Sequence, residues 1–422
     1  MVMQARTFPS IDIPTPSQIV AAALGNQGEH DDEKSMILSM GPQHPSTHGV
    51  LRLSVELAGE TVVNLAPDVG FLHTGIEKTM ESKTYTKAIV LTDRIDYLSP
   101  LNNNYAYCSA VEKLMQLEVP ERAQVVRVLM LELTRINSHL VWLGTHALDL
   151  AAMSVFLYGM REREYILDIF ELVSGARMMT SYFRIGGLAW DVPKDFIPTV
   201  EQFLDYFLPH IDEYEGLLTN NPIWHQRTLG VGIISGADAI ALGLTGANLR
   251  ASGVDWDLRK AIPYGTYETY DFDVPVGKNG DIFDRYCCRI QEMRESVKIA
   301  WQAVERLKDL EGAPYITGNR KVAPPPKSEI TYSMESLIHH FKLWTEGFRP
   351  PMGSVYVGTE SARGEFGCYL VSDGSPKPWR VHFRAPSFIS LQALPHMAKG
   401  KLVADLVAMI ASLDPVLGEV DR

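Results

Sequence analysis

The sequence predicts an α+β fold, with a central helical bundle between an N-terminal antiparallel α/β part and a C-terminal mixed part. Three observations carry that prediction. Short apolar runs fill the stretch before residue 70, helical periodicity takes over from about Asn104 and lasts to Leu310, and strand-like runs between Gly and Pro turns return after Pro324-Pro325-Pro326.

Residues 1–34 read as an extended segment, because Pro14, Pro16 and the polar run from Gly25 to Asp32 offer little to bury. Met36–Met40, Val50–Leu57 and Glu60–Ala66 read as strands, the last two joined by a turn at Gly59-Glu60. Tyr105–Leu117 is helical in pattern and is followed by Pro120-Glu121-Arg122, where proline suits a first helical turn. Val125–Leu150, Arg161–Met178, Pro198–Leu217 and Asp281–Leu310 supply further helices for an antiparallel bundle. Ser354–Gly358, Gly367–Ser372 and Trp379–Phe383 read as strands, ahead of an apolar segment at Leu402–Leu413. The expected divisions are an N-terminal segment 1–34, an α/β part 35–103, a helical bundle 104–315 and a C-terminal α/β part 316–422.

A chain of 422 residues, 46% hydrophobic and 21% charged, has material for two or three cores at roughly 150 residues each. A net charge of -12 speaks against a general nucleic-acid binder, which needs a surplus of Lys and Arg to neutralise phosphates. Cys108, Cys287, Cys288 and Cys368 form no CxxC pair, so neither a disulfide framework nor a cysteine-ligated zinc or iron-sulfur centre is expected. The start of the chain, with Pro9, Pro14 and Pro16 among polar residues, lacks the pattern of a signal peptide. The most apolar stretch, Ala147–Met160, is shorter than the roughly 20 residues of a bilayer span and contains Asp149. Membrane association is therefore expected to come through partner subunits.

Four patches hold side chains suited to proton chemistry. Gly41-Pro42-Gln43-His44-Pro45-Ser46-Thr47-His48-Gly49 is a rigid loop carrying two imidazoles, either an ordinary turn or a functional one. Its histidines are four apart, but the proline between them breaks a helical face, and no nearby Cys or carboxylate completes a metal site. In Gly70-Phe71-Leu72-His73-Thr74-Gly75-Ile76-Glu77-Lys78, Glu77 is either a solvated first-turn carboxylate or a buried proton carrier. In Arg94-Ile95-Asp96-Tyr97-Leu98, Arg94 and Asp96 read as an ion pair and Tyr97 as a core ring with a satisfied hydroxyl. In Thr145-His146-Ala147-Leu148-Asp149, His146 and Asp149 at i, i+3 share a face, and Asp149 requires a partner, a raised pKa or a capping role.

Taken in order, GPQHPSTHG, GFLHTGIEK, DRIDYL, THALD, RERE (161–164), YFRIGG (182–187), LRASGVDWDLRK (249–260) and SLDPVLGEVDR (412–422) closely resemble the D-subunit family of the proton-pumping NADH:quinone oxidoreductase, respiratory complex I. The resemblance runs from about residue 36 to Arg422. That family is similar in fold to the nickel-iron hydrogenase large subunit, whose four thiolate ligands fall here on Asp96, Ser99, Val416 and Glu419. Without soft donors nickel is not expected, and no metal or other cofactor is expected on this chain.

The resemblance implies that the vacated metal cavity is the head-group end of a quinone pocket. Tyr97 and His48 would hydrogen-bond the quinone, Asp149 would pair with His48, and Thr145 and Val416 would complete the quinone-facing set. Glu77, Arg94 and Asp414 would lie on a proton path or line the cavity. The electrons would come from a [4Fe-4S] cluster on the neighbouring B-subunit. The C- and I-subunits and the membrane H- and A-subunits would be the other partners, on the cytoplasmic face of a bacterial inner membrane. Thr74 and Met179 depart from the family, which commonly has Arg and His there. The competing readings are an active hydrogenase subunit, a non-catalytic assembly scaffold, and a component of the related ferredoxin-dependent plastoquinone-reducing complex.

Overall fold

A computed structural model describes residues 35–45 and 49–422 and has the expected α+β character. In the N-terminal antiparallel sheet, β1 (Met36–Met40), β2 (Arg52–Ala58) and β3 (Thr61–Asp68) lie in sequence order, with Met36 opposite Leu57 and Met40 opposite Leu53. Leu53, Val55 and Leu57 alternate onto one face of β2 and are buried, as a half-covered strand requires. Gly41, leaving β1 at φ +89, has no room for a side chain: a Cβ there would stand 2.1 Å from the Leu51 carbonyl oxygen. A short ribbon, β4 (Phe183–Arg184) and β5 (Gly187–Leu188), and a second three-stranded sheet, β6 (Gly353–Ser361), β7 (Gly364–Ser372) and β8 (Arg380–Arg384), complete the described strands.

The first strand matches its predicted span, and the others differ at their ends. The bundle helix expected from Val125 runs over Glu121–Asp149, because Pro120, extended at ψ 143, stands before the first turn rather than within it. The helix expected at Arg161–Met178 spans Met153–Ser174. It starts after a single left-handed residue, Ala151 at φ 67, and stops at Gly175, φ 77, which ends helices at little cost. Tyr105–Leu117 proves to be Pro100–Met115, with proline at the first helical position. Helical structure also begins earlier than Asn104, in Ile76–Glu81 and Tyr85–Thr92.

Two large apolar cores form among the described residues. The larger is centred on the Glu121–Asp149 helix, which packs between Met153–Ser174 and Ile282–Asp309. The smaller joins the N-terminal sheet to the helices Leu394–Ala398, Val403–Leu413 and Leu417–Asp421. The Val62 amide donates to the Lys401 carbonyl at 2.8 Å, and the Trp142 indole donates to the Ala411 carbonyl at 2.8 Å. The C-terminal segment is thus wedged between the first sheet and the bundle.

The bundle's centre is ionic rather than purely apolar. Glu132 is reached by Arg135 at 3.3 Å, Arg259 at 3.2 Å, and the Ser296 and Tyr267 hydroxyls at 2.6 Å each. Arg250 pairs with Glu360 at 2.7 Å and with Glu292, which also accepts from the His139 imidazole at 2.8 Å. All of these charged groups are buried. Against burial, which would raise it, Arg135 and Arg259 hold the Glu132 carboxyl below its ordinary value, and Arg250 does the same for Glu292.

Candidate functional site: a buried carboxylate cluster beside Tyr97

The turn 93–99, between the Tyr85–Thr92 and Pro100–Met115 helices, presents Asp96 and Ser99 inward and leaves Tyr97 half-buried. Across from it runs 414–421. The two segments touch at Gly418, where a Cβ would stand 2.7 Å from the Ile95 carbonyl oxygen and 3.1 Å from Cε1 of Tyr97. Only glycine lets the Tyr97 ring and the terminal helix approach this closely.

Arg363 fills the space between them. It comes from the tight turn joining β6 and β7 and is 1% exposed. Its Nη1 donates to Asp96 at 2.8 Å and to the Ser138 hydroxyl at 2.9 Å, while Nε donates to the Asp414 carbonyl at 3.1 Å and Nη2 to its carboxylate at 3.3 Å. Asp414 can face Arg363 because it ends the Val403–Leu413 helix in a left-handed conformation, φ 52, which Asp adopts more readily than most residues. Glu419, fully buried, accepts from the Ser387 hydroxyl, which itself accepts from the Val416 amide at 3.3 Å. The other Glu419 oxygen has no hydrogen-bond partner among the described residues.

Two carboxylates, Asp96 and Asp414, thus share one guanidinium, and a third, Glu419, lies within reach of its charge but not of its hydrogen bonds. Burial pushes the Glu419 carboxyl up to about 8, and the neighbouring Asp96 adds to the rise. Burial also raises Asp96, against the pull of Arg363. Asp96 has a cation at 2.8 Å and Glu419 has only a hydroxyl, so of the two carboxyls Glu419 is the better placed to hold a proton. Burial, with Asp96 next, raises the Tyr97 phenol above its ordinary value, so it stays protonated near neutral pH.

The structure brings Tyr97, Asp414 and Val416 into this cluster. Arg94 is exposed, and the expected Arg94–Asp96 pair is replaced by Arg363–Asp96. The buried carboxylate takes a cation that is itself desolvated, whereas neighbouring turn residues point to opposite sides. Glu77, in the first turn of Ile76–Glu81, is neither freely solvated nor enclosed. It accepts from the Phe383 amide at 2.9 Å and Arg422 at 3.0 Å, with His382 at 3.2 Å and Arg380 at 3.5 Å.

Asp421 accepts from the Gly70 and Leu72 amides at 2.7 Å each, and its carbonyl meets His73 Nδ1 at 2.6 Å, so these three bonds and the Arg422–Glu77 pair fasten the 70–77 stretch to the terminal segment. The Thr145 hydroxyl donates to Val141 of its own helix at 2.9 Å. Asp149 is the last residue of that helix and half-buried, whereas His146, one turn earlier, is buried between Trp142 and Trp224, with ring centroids at 5.4 and 5.0 Å. His48 lies outside the described residues. The next residue, Gly49, lies against Leu417, whose nearest atom is 3.6 Å from its Cβ position. Thr74 is exposed and Met179 half-buried.

Sequence reasoning missed Arg363 and Ser387. Nothing local marks Arg363, one charge in a Ser-Ala-Arg-Gly turn, as buried; only the three-dimensional return of β6–β7 to the 93–99 turn does so. Among the described residues no group of three or more His, Cys, Asp or Glu is placed to hold a metal ion, and no helix is long and apolar enough to cross a membrane.

The sequence model of the respiratory-chain NADH dehydrogenase 49 Kd subunit family matches residues 149–422. The chain is 78% identical over 422 residues to the first of the NADH-quinone oxidoreductase D-subunits of Herpetosiphon aurantiacus, covering both chains completely. It is 73% identical over 412 residues to the second D-subunit of Chloroflexus aurantiacus, covering 98% of this chain and 99% of that one. To the D-subunit of Geotalea uraniireducens it is 58% identical over 387 residues, 92% and 98% of the two chains. The chain therefore belongs to the D-subunit, or 49-kDa, family of NADH-quinone oxidoreductases, and is one part of that oxidoreductase complex rather than an enzyme by itself.

Proposed function

We propose that this protein forms the head-group end of the quinone pocket, where Tyr97 and His48 hydrogen-bond a quinone carbonyl and Asp149 pairs with His48. The observation that carries the reading is the Tyr97 ring seated on Gly418 beside the Asp96–Arg363–Asp414 bridge. The positions that would bear thiolates in a nickel-iron hydrogenase large subunit, to which we take the fold to be related, hold instead the carboxyls of Asp96 and Glu419, a hydroxyl and Val416. Such a site suits proton exchange.

The electrons are proposed to come from the [4Fe-4S] cluster of the neighbouring B-subunit. The C- and I-subunits and the membrane H- and A-subunits would hold the chain at the cytoplasmic face of a bacterial inner membrane. Two-electron reduction makes the quinone oxygens strongly basic, and a phenol with a raised pKa gives up its proton only to such a base. Tyr97 would therefore donate after the electrons arrive and not before. Proton donation by His48 would leave Asp149 without its cation, a change of charge suited to starting the movement that drives proton translocation. Glu77, expected on a proton path, is held by Arg422, Arg380 and His382, which supports a positioning role for it as well.

The test uses Tyr97→Phe and His48→Ala in the purified complex. Quinone reduction is expected to fall by at least about tenfold, within the range of general acid catalysis, while NADH oxidation by a soluble artificial acceptor persists. Unchanged quinone turnover in a fully assembled complex would sink the reading and favour an assembly scaffold.

A further inference from the structure

Arg363 can serve Asp96 and Asp414 only while the turn that carries it stays in place, and that turn is gripped from the centre of the bundle. Ser361 pairs with Gly364 across the β6–β7 turn, which leaves Ala362 and Arg363 at its tip. Immediately before it stands Glu360, buried, with its amide, its carbonyl and both carboxylate oxygens engaged. The carboxylate accepts from Arg250 at 2.7 Å and from the Leu258 amide at 3.2 Å, the amide donates to the Tyr264 hydroxyl at 3.0 Å, and the carbonyl accepts from Arg135 at 2.6 Å. The same Arg135 guanidinium donates to the Ser361 carbonyl at 3.0 Å.

The far side of the turn has no slack either. The Glu365 amide donates to the Thr245 hydroxyl at 3.0 Å, and a Cβ on Gly246 would stand 2.5 Å from the Gly364 Cα, so two backbones touch there. Gly246 opens the short helix that ends in Arg250, the residue that grips Glu360. Holding a hairpin does not in itself call for a buried carboxylate: Phe366, Cys368 and Leu370 of β7 pack into the core without that electrostatic cost. Burial pushes the Glu360 carboxyl upward, and so does Asp257, 3.5 Å from the same Arg250. What the charge adds is direction, since a hydrogen-bonded carboxylate fixes an angle that apolar contact leaves free.

We propose that Glu360 is a positioning residue for quinone reduction: through the 361–364 turn it fixes Arg363, and through Arg363 it fixes the carboxylate of Asp96 beside Tyr97. Arg135 and Arg250 are its anchors, and both belong to the ionic centre of the bundle, so that centre sets the geometry of a site it does not line. Glu360 acts through Arg363 and not on the quinone. A displacement near 1 Å at a reacting group costs about 100-fold, and a partial loosening of the turn is expected to cost about tenfold.

The experiment compares Glu360→Gln, Arg363→Lys and the double variant in the purified, assembled complex. Glu360→Gln keeps the side chain's shape but has one acceptor oxygen for the two donors, Arg250 and the Leu258 amide. The kcat for quinone reduction should fall about tenfold while NADH oxidation by a soluble artificial acceptor is unchanged, and the same substitution in the Arg363→Lys background should cost less than about twofold. Tyr264→Phe, which removes one phenolic oxygen and keeps the ring, should lower kcat by a smaller factor, and it decides the matter if Glu360→Gln does not assemble. Glu292→Gln is the control, because Glu292 bonds Arg250 but has no bond to the hairpin among the described residues; it should lower the melting temperature and leave kcat within about twofold. An equal fall from Glu360→Gln in both backgrounds, an equal fall in Glu292→Gln, or unchanged kcat in both Glu360→Gln and Tyr264→Phe overturns the proposal. Because it rests on the quinone reading, Tyr97→Phe is measured alongside. An unchanged rate in Tyr97→Phe sinks both, whereas a lowered rate there with normal turnover in Glu360→Gln and Tyr264→Phe sinks the role of Glu360 alone.

Discussion

Arg363 holds Asp96 at 2.8 Å with both side chains 1% exposed, so the charge facing the proposed quinone site is set by one guanidinium delivered from a β-turn 267 residues away in sequence. The same guanidinium reaches Asp414, which makes it the joint between the 93–99 turn and the terminal segment.

Removing that joint should be severe. Arg363→Met leaves two buried carboxylates without a cation, and a loss of about 3–5 kcal/mol is expected from breaking such a pair on one side. Arg363→Lys keeps the charge but cannot reach Asp96, Ser138 and Asp414 together, and should recover only part of the loss. Thermal melting of the assembled complex, compared with its quinone turnover, measures both.

Gly418→Ala tests the contact with Tyr97. The added Cβ would have to push back the Ile95 carbonyl at 2.7 Å and the Tyr97 ring at 3.1 Å. A displacement near 1 Å at a reacting group costs about 100-fold. Quinone reduction is expected to collapse while electron input from NADH to an artificial acceptor is unaffected; equal quinone rates in variant and wild type would show that the ring position does not matter.

The buried acid Glu419 predicts a pH dependence. Its folded pKa of about 8 lies above the ordinary 4.5, so the group's favourable contribution is full below 4.5 and disappears as pH rises through 8. Wild type should therefore lose stability relative to Glu419→Gln between about pH 5 and 8, at up to about 1.4 kcal/mol per pH unit. Denaturation of both proteins across this range gives the difference curve, and a flat one would mean that Glu419 is ionised throughout.

The Glu77–Arg422 bond at 3.0 Å, with both side chains only 15–16% exposed, should be coupled rather than additive. Arg422→Ala is expected to lower stability by about 1–3 kcal/mol and raise the KM for quinone. Adding Glu77→Gln to that variant should cost less than Glu77→Gln alone, which a double-mutant cycle resolves.

What could be read in the sequence follows from the range over which each feature is determined. Met36–Met40 and the Ile282–Asp309 helix declare themselves through local periodicity, and their expected spans agree with the structure to within a residue at each end. The Met334–Thr345 helix was not foreseen, because its apolar stripe faces water and gives no account of itself within a single-chain core. Tyr97, Asp414 and Val416 were legible because two short motifs carry them. Their meeting point was not, since it depends on Arg363 and Ser387, whose burial is decided by segments distant in sequence. The Arg94–Asp96 pair was misread for the same reason: proximity along the chain stood in for proximity in space.

The ionic centre of the bundle has a consequence for how this protein can change over generations. Glu132 answers to Arg135 and Arg259 at once, and Arg250 to both Glu292 and Glu360. Altering any one member strands the charges of the others in a medium that cannot solvate them, so viable routes between sequences run through simultaneous, charge-matched replacements. Single changes at these positions are expected to cost far more than single changes on the exposed faces of the same helices.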